Sequence, residues 1–207
     1  MTTNNHIPTE LRQDLRVIQD WVAPASRILD LGCGDGTLLT TLRDRKNTSG
    51  YGMEISPADI NICLSRGLNV IHRDIELGLS VFDDKTFDYV LTTHSIQTLN
   101  NPAKLLDEMV RVGIRGIVSF PNMGYWRARA HIAFKGKMPV TESLPHQWHD
   151  TPNTHLCTLT DFENLCKTLQ IKIERRAAVN DNHRRNIPAL CFPNLFSETA
   201  LFEISAQ

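Results

Sequence analysis

Arg27-Ile28-Leu29-Asp30-Leu31-Gly32-Cys33-Gly34-Asp35-Gly36 decides how this chain folds. Arg27 to Leu31 is a short apolar run of the kind that is buried as a strand. Three glycines at alternate positions then make a tight turn, and Leu38, Leu39 and Leu42 follow at helical spacing. The unit is strand, turn, helix.

The same rhythm continues outward from this unit. Upstream, Leu11, Leu15, Ile18 and Val22 give the stretch Glu10 to Val22 one apolar helical face, and Pro24 stops it. Downstream, a second strand is expected over Gly50 to Ile55. Ser56-Pro57-Ala58-Asp59 opens a helix with a serine cap, a proline at the first position and an acid at the positive end, and Gly67 closes it in a left-handed turn. Strands are expected over Asn69 to His72 and Phe87 to Thr92. Asn101-Pro102 opens a helix that turns Leu105, Leu106, Met109 and Val110 inward and ends at Gly113, and a fifth strand spans Gly116 to Phe120. Strands alternating with helices need crossover connections, so the first 120 residues predict a doubly wound, mostly parallel α/β sheet.

After Pro121 the pattern changes. A helix is expected from Met123 to Phe134, then a Pro-, His- and Trp-rich stretch runs from Lys135 to Cys157, so residues 121–158 read as a functional cap. Thr160-Asp161-Phe162-Glu163 predicts a capping box for a last helix, followed by strands at Ile171 to Glu174 and Ala200 to Ile204. One domain over residues 1–207 is expected.

Ligands of open parallel sheets lie beyond the carboxyl ends of the strands, which puts the crevice at Gly32 to Gly36. A dinucleotide fingerprint needs glycine at position 37, where this chain has Thr37. Asp30 and Asp35 also flank the loop, and carboxylates repel a pyrophosphate on a helix N-terminus. A cationic nucleoside without phosphate suits these residues, and S-adenosylmethionine (SAM) meets that description. Asp30 or its neighbours, Asp35 among them, can take its ammonium, directly or through water, while Gly32 and Gly34 let the backbone approach closely. Glu54 is placed for the ribose hydroxyls and Asp74 for the adenine amine, with Ile55 and Ile75 on either side of the ring.

A net charge of −1 gives no overall positive field toward nucleic acid or an anionic bilayer. No run of ~18 apolar residues is present, and Met1 to His6 lacks the start of a signal peptide, so a cytoplasmic protein is expected. Five cysteines without a C-x-x-C pair argue for reduced, mostly packed thiols.

Arg27 to Gly36, Glu54, Asp74, Phe87-Asp88 and Leu105 to Gly113 together resemble class I SAM-dependent methyltransferases, with their Rossmann-like fold. More narrowly, Ser119-Phe120-Pro121-Asn122-Met123-Gly124-Tyr125-Trp126-Arg127, Lys135 to Val140, and Thr151 to Thr158 with Asp161-Phe162-Glu163 resemble the MetW family of methionine-biosynthesis proteins. The tail departs from that pattern, with Phe196-Ser197 where Leu-Gly is expected. The resemblance implies SAM or S-adenosylhomocysteine as ligand and homoserine O-acyltransferase of the MetX type as partner, in formation of the O-acylhomoserine. The competing reading is a methyltransferase acting on a small molecule. Thr92-Thr93-His94-Ser95 lacks the Pro-Pro-aromatic signature of enzymes that methylate nucleobase amines. Homo-oligomerisation stays open.

Several residues carry two readings. His94 follows the fourth strand and is either a base toward an acceptor or a hydrogen-bonded structural histidine. His146, His149, His155 and Cys157 cluster without a common zinc spacing, so no metal site is expected. Trp126, Ala130 and Phe134 fall on one helical face beside Arg127, Arg129, Lys135 and Lys137. They form either a core-facing stripe with solvated cations or a partner surface. Arg184 and Arg185 read as a solvated loop.

Overall fold

A computed structural model describes residues 12–141, 144–180 and 192–207. Its centre is a seven-stranded sheet in the order β3-β2-β1-β4-β5-β7-β6. The strands are β1 (Arg27–Leu31), β2 (Ser49–Glu54), β3 (Val70–His72), β4 (Phe87–Thr93), β5 (Gly113–Pro121), β6 (Ile171–Val179) and β7 (Thr199–Ala206). The first five pair in parallel, whereas β7 inserts antiparallel between β5 and β6.

Helices α1 (Gln13–Trp21), α2 (Thr37–Lys46), α3 (Pro57–Ser65), α4 (Pro102–Val112), α5 (Trp126–Lys135), α6 (Leu159–Thr168) and the short α7 (Pro193–Phe196) fill the connections. Two apolar clusters cover the two faces of the sheet. One gathers Leu15, Ile18, Leu38, Leu42 and Cys63 from α1, α2 and α3, and the other gathers Leu106, Met109, Phe162 and Cys166 from α4 and α6. In the second, the rings of Phe120, Phe162 and Phe202 pack with centroids 4.6–6.0 Å apart, which ties α6 to β5 and β7.

The local signals act as expected at most boundaries. Ser56 Oγ accepts from Asp59 N and Asn101 Oδ1 from Lys104 N, each before a proline. Gly67 has φ +68° just past α3. The predicted fifth strand is longer than expected: Gly113 ends α4 in an extended conformation and is at once the first residue of β5. The capping box of α6 stands two residues earlier than expected. Thr158 Oγ1 accepts from Asp161 N at 3.2 Å, and Asp161 Oδ2 accepts from Thr158 N at 2.9 Å. Both pairs fit the spacing rule, but Leu159 and Phe162 have to be buried together, and that fixes the start. Glu163, freed from capping, pairs with Arg176 at 2.8 Å.

Leu11, Arg184, Arg185 and Cys191 lie outside the described residues. Of the other cysteines, Cys33, Cys63 and Cys166 are buried free thiols and Cys157 is partly buried. Among the described residues no helix is long and apolar enough to cross a membrane.

The strand order reverses between β1 and β4, so the carboxyl ends of these two strands diverge into a crevice. Register places the acids there. Asp30 pairs with Gly52 and Leu91 across its two neighbours, Glu54 pairs with His72, and Asp74 follows two residues later.

Candidate functional site

The loop after β1 is built from left-handed glycines. Gly32, Gly34 and Gly36 have φ of +70°, +53° and +75°, a region that costs a side-chain-bearing residue about 1 kcal/mol or more. Their surroundings differ. A Cβ at Gly32 would sit 2.6 Å from Ser95 Oγ, and one at Gly36 would sit 2.3 Å from a Leu68 methyl. At Gly34 a Cβ would meet nothing within 4 Å, so this glycine faces the open crevice.

Asp35 caps the helix that follows: its Oδ1 accepts from Thr37 N at 3.0 Å and its Oδ2 from Thr37 Oγ1 at 2.9 Å. Arg66, at the end of α3, lies 3.2 Å from the same carboxylate and also donates to Asp35 O. Partial burial works to raise the pKa of Asp35, but the Thr37 and Arg66 contacts outweigh it and lower it. The N-terminus of α2, where a pyrophosphate would sit, therefore already holds a carboxylate. Asp35 is committed to α2 and to Arg66, a partner the sequence pattern did not single out.

Asp30 is in the opposite condition. It is buried, its Oδ1 has no hydrogen-bond partner among the described residues, and burial, reinforced by the nearby charge of Glu54, pushes its pKa up to about 7. A buried orphan oxygen is costly unless something donates to it, and an ammonium does so with charge assistance.

Glu54 is held across the loop. Its Oε2 accepts from Gly34 N at 2.9 Å, and its Oε1 accepts from Ile55 N and Ser56 N at 2.8 and 2.9 Å. A carboxylate offers about four lone-pair positions, so a ribose diol gripped by both oxygens has to share with or displace these amides. Asp74 is exposed, and its Oδ1 accepts from Glu76 N at 2.9 Å, capping the turn Ile75–Leu77. Ile75 reaches over Gly32, with its Cδ1 3.5 Å from where a Cβ would stand, while Ile55 leaves more than half its surface open. Asp30, Glu54, Asp74, Ile55, Ile75, Gly32 and Gly34 thus share one edge of the sheet. The set fits a cationic nucleoside: a carboxylate oxygen without a partner among the described residues, an exposed isoleucine and bare backbone.

His94 stands on the β4 side of this edge with φ +60°, uncommon for a residue with a side chain. Its Nε2 is 3.3 Å from Oδ2 of Asp14, in ion-pair contact but poorly aligned for a hydrogen bond. Asp14 belongs to the first turn of α1 and is buried. Burial acts to raise its pKa, yet contacts from His94 and Arg12 win and hold it well below the usual carboxylate range. Ser119 Oγ donates to the same oxygen at 3.4 Å. Apolar periodicity passes over Asp14, and its role emerges only when α1 crosses the end of β4.

The cap is rooted by two buried amides. Asn122 Nδ2 donates to Asn194 O and Ser197 O at 3.0 and 2.8 Å, and its Oδ1 accepts from Gly124 N and Leu159 N at 3.0 and 3.1 Å. Gln97 Nε2 donates to Pro121 O, and its backbone carbonyl accepts from Thr154 N and His155 N. His155 faces Asn100 O and Cys157 faces Gln97; among the described residues no group of three or more potential ligands gathers for a metal. On α5 the buried residue is Ala128, while Trp126 and Phe134 are exposed, so the core-facing reading of that stripe is corrected. The reason is that β7 and α6 already fill the space beside β5.

A doubly wound sheet with antiparallel β7, a glycine loop after β1 and acids at the ends of β1, β2 and β3 define the fold of class I SAM-dependent methyltransferases. Solved structures share it. The putative methyltransferase in complex with the Haloferax volcanii Trm112 methyltransferase activator superposes with a TM-score of 0.67 at 18% identity, covering 92% of this chain and 88% of that one. A SAM dependent methyltransferase from Archaeoglobus fulgidus gives 0.65 at 18% identity, covering 92% and 90%. At such identities the likeness is one of fold.

The chain belongs to the MetW family, described as Methionine biosynthesis protein MetW, which it matches over residues 12–204. It is 33% identical over 210 residues to the Bifunctional methionine biosynthesis protein MetXA/MetW of Rhodopirellula baltica, across 96% of this chain. The chain spans about a third (34%) of that relative's length.

Proposed function

We propose that this chain binds SAM, or S-adenosylhomocysteine, at the carboxyl edge of β1, β2 and β3, and that it works in the cytoplasm as the companion of a homoserine O-acyltransferase of the MetX type. The observation that carries the ligand is the unpartnered, buried Asp30 oxygen beside a helix N-terminus already capped by Asp35, which favours a cation and disfavours a phosphate. Asp30 takes the ammonium, Glu54 the ribose, Asp74 the adenine amine, and Ile55 and Ile75 flank the ring. When bound, SAM supplies an electrophilic methyl on a sulfonium. The partner is supported by the relative whose name joins MetXA and MetW in one polypeptide.

In this reading a derivative of the pathway's end product reports methionine status to the enzyme that forms the activated homoserine ester. Copurification with the acyltransferase, then its rate of homoserine acylation with and without this chain across SAM concentrations, tests it. A rate independent of the chain at every SAM level removes the regulatory role. Calorimetry that finds no heat with SAM or S-adenosylhomocysteine, yet tight uptake of a nicotinamide dinucleotide, removes the ligand.

The contact between His94 and Asp14 at the same edge favours a second reading, methyl transfer to a small acceptor with His94 as base. Accumulation of S-adenosylhomocysteine from SAM and a metabolite extract separates the two, since a regulatory subunit leaves SAM intact.

A further inference from the structure

α5 is a helix turned almost inside out. Ala128 alone is its buried residue, whereas Trp126 and Ile132 stand more than two-fifths exposed and Phe134 is 87% exposed. The chain then doubles back, and Met138, Val140 and Trp148 line a cavity of about 730 Å³ with His131 and Lys137. Arg127 lies over the Trp126 ring, 5.6 Å from its centroid, and Arg129, Lys135 and Lys137 complete a cationic border. From Met123 to Thr141 there is no Asp or Glu, so α5 and the turn after it carry four Lys and Arg side chains without an acid, on a chain whose net charge is −1.

We propose that this face, α5 with the groove closed by Trp148, is where the acyltransferase partner docks, through an apolar protrusion bordered by carboxylates; the proposal rests on the association inferred above. Exposed aromatic anchors ringed by arginine are the composition of interface hot spots. The charge selects among occupants. A second copy meeting the first through this face in a two-fold contact would set like charges against each other. A bilayer takes a convex apolar ridge, whereas here three of the apolar side chains line a hollow, and a hollow receives a protein protrusion. The face also connects to the ligand crevice. The return of the cap hangs on Gln97 through Thr154 N and His155 N, and Gln97 is two residues from Ser95, which packs against Gly32.

The test uses the full chain and the purified acyltransferase. Trp126→Ala with Phe134→Ala should weaken the complex at least about 30-fold, the loss typical of two hot-spot anchors. Arg127→Glu with Lys135→Glu, on exposed positions that leave folding alone, should weaken it about tenfold and flatten its dependence on salt. Heat of SAM binding should match the wild type in both variants. If the wild type forms a complex that both variants form equally well, the docking face is wrong while the association stands. A wild type that forms no complex with the acyltransferase overturns both. Self-association, or binding to anionic vesicles, that these substitutions abolish while the acyltransferase complex persists also overturns the proposal.

Discussion

Asp14 and His94 are eighty residues apart in sequence and 3.3 Å apart in space, and their contact fastens the first turn of α1 to the end of β4 beside the candidate crevice. The folded state lowers the pKa of Asp14, so its ionised form stabilises the fold above the unfolded value of 3.8, and that contribution is lost as pH falls below it. Asp14→Asn should cost roughly 2 kcal/mol at neutral pH. The gap from wild type should narrow below about pH 4, measured by urea denaturation across pH. A gap that stays constant down to pH 2 would show that the charge of Asp14 contributes nothing.

The loop glycines should separate under substitution. Gly36→Ala meets both a left-handed backbone and a Leu68 methyl at 2.3 Å, so a loss of about 2–4 kcal/mol is expected. Gly34→Ala meets only the backbone preference and should cost about 1 kcal/mol. Because position 34 looks into the crevice, its methyl should nevertheless weaken SAM binding at least tenfold, read by calorimetry. Equal thermal stabilities for the two variants would contradict this assignment of the loop.

With the SAM ammonium on Asp30 as proposed, ligand affinity should depend on pH. Its folded pKa is raised from 3.8 to about 7, so the ligand-free fold is favoured by protonation below 3.8 and loses that advantage as pH rises toward 7. An ammonium on Asp30 reverses the preference and drives the proton off. The dissociation constant for SAM should therefore rise about tenfold per unit as pH drops below 7, with proton uptake by the buffer. Asp30→Asn should bind more weakly and show no such slope. A slope unchanged in the variant would move the effect to another group.

Asn122 should behave as the anchor of the cap. Asn122→Ala leaves two carbonyls and two amides without their partner, and at about 1 kcal/mol or more for each orphaned group the loss should reach roughly 3–5 kcal/mol. Hydrogen exchange should accelerate first at Gly124 and Leu159. Protection there equal to wild type would argue that the cap is held by packing alone.

Much of this was legible in the sequence because it depends on neighbours in the chain. Ser56 and Asn101 cap their own helices, Gly32 to Gly36 turn within a few bonds, and alternation of strands with helices forces parallel pairing. For the same reason Glu54 and Asp74 could be assigned to strand ends and hence to one edge. The capping box of α6 was not legible locally, because Thr158 and Thr160 offer the same spacing and only the burial of Leu159 and Phe162 separates them.

The sequence by itself determined the five parallel strands, the glycine loop and the order of the acids, since backbone preference and side-chain period act over short separations, whereas the antiparallel insertion of β7 between β5 and β6 was settled by packing. Tertiary structure alone decided which of those acids is free. Arg66 pairs with Asp35 from another helix, three backbone amides occupy Glu54, and close packing leaves Asp30 Oδ1 without a donor among the described residues. It also decided that Asp14 reaches His94 and that Trp126 and Phe134 face outward, because charge pairing and burial depend on which surfaces the packed sheet leaves open.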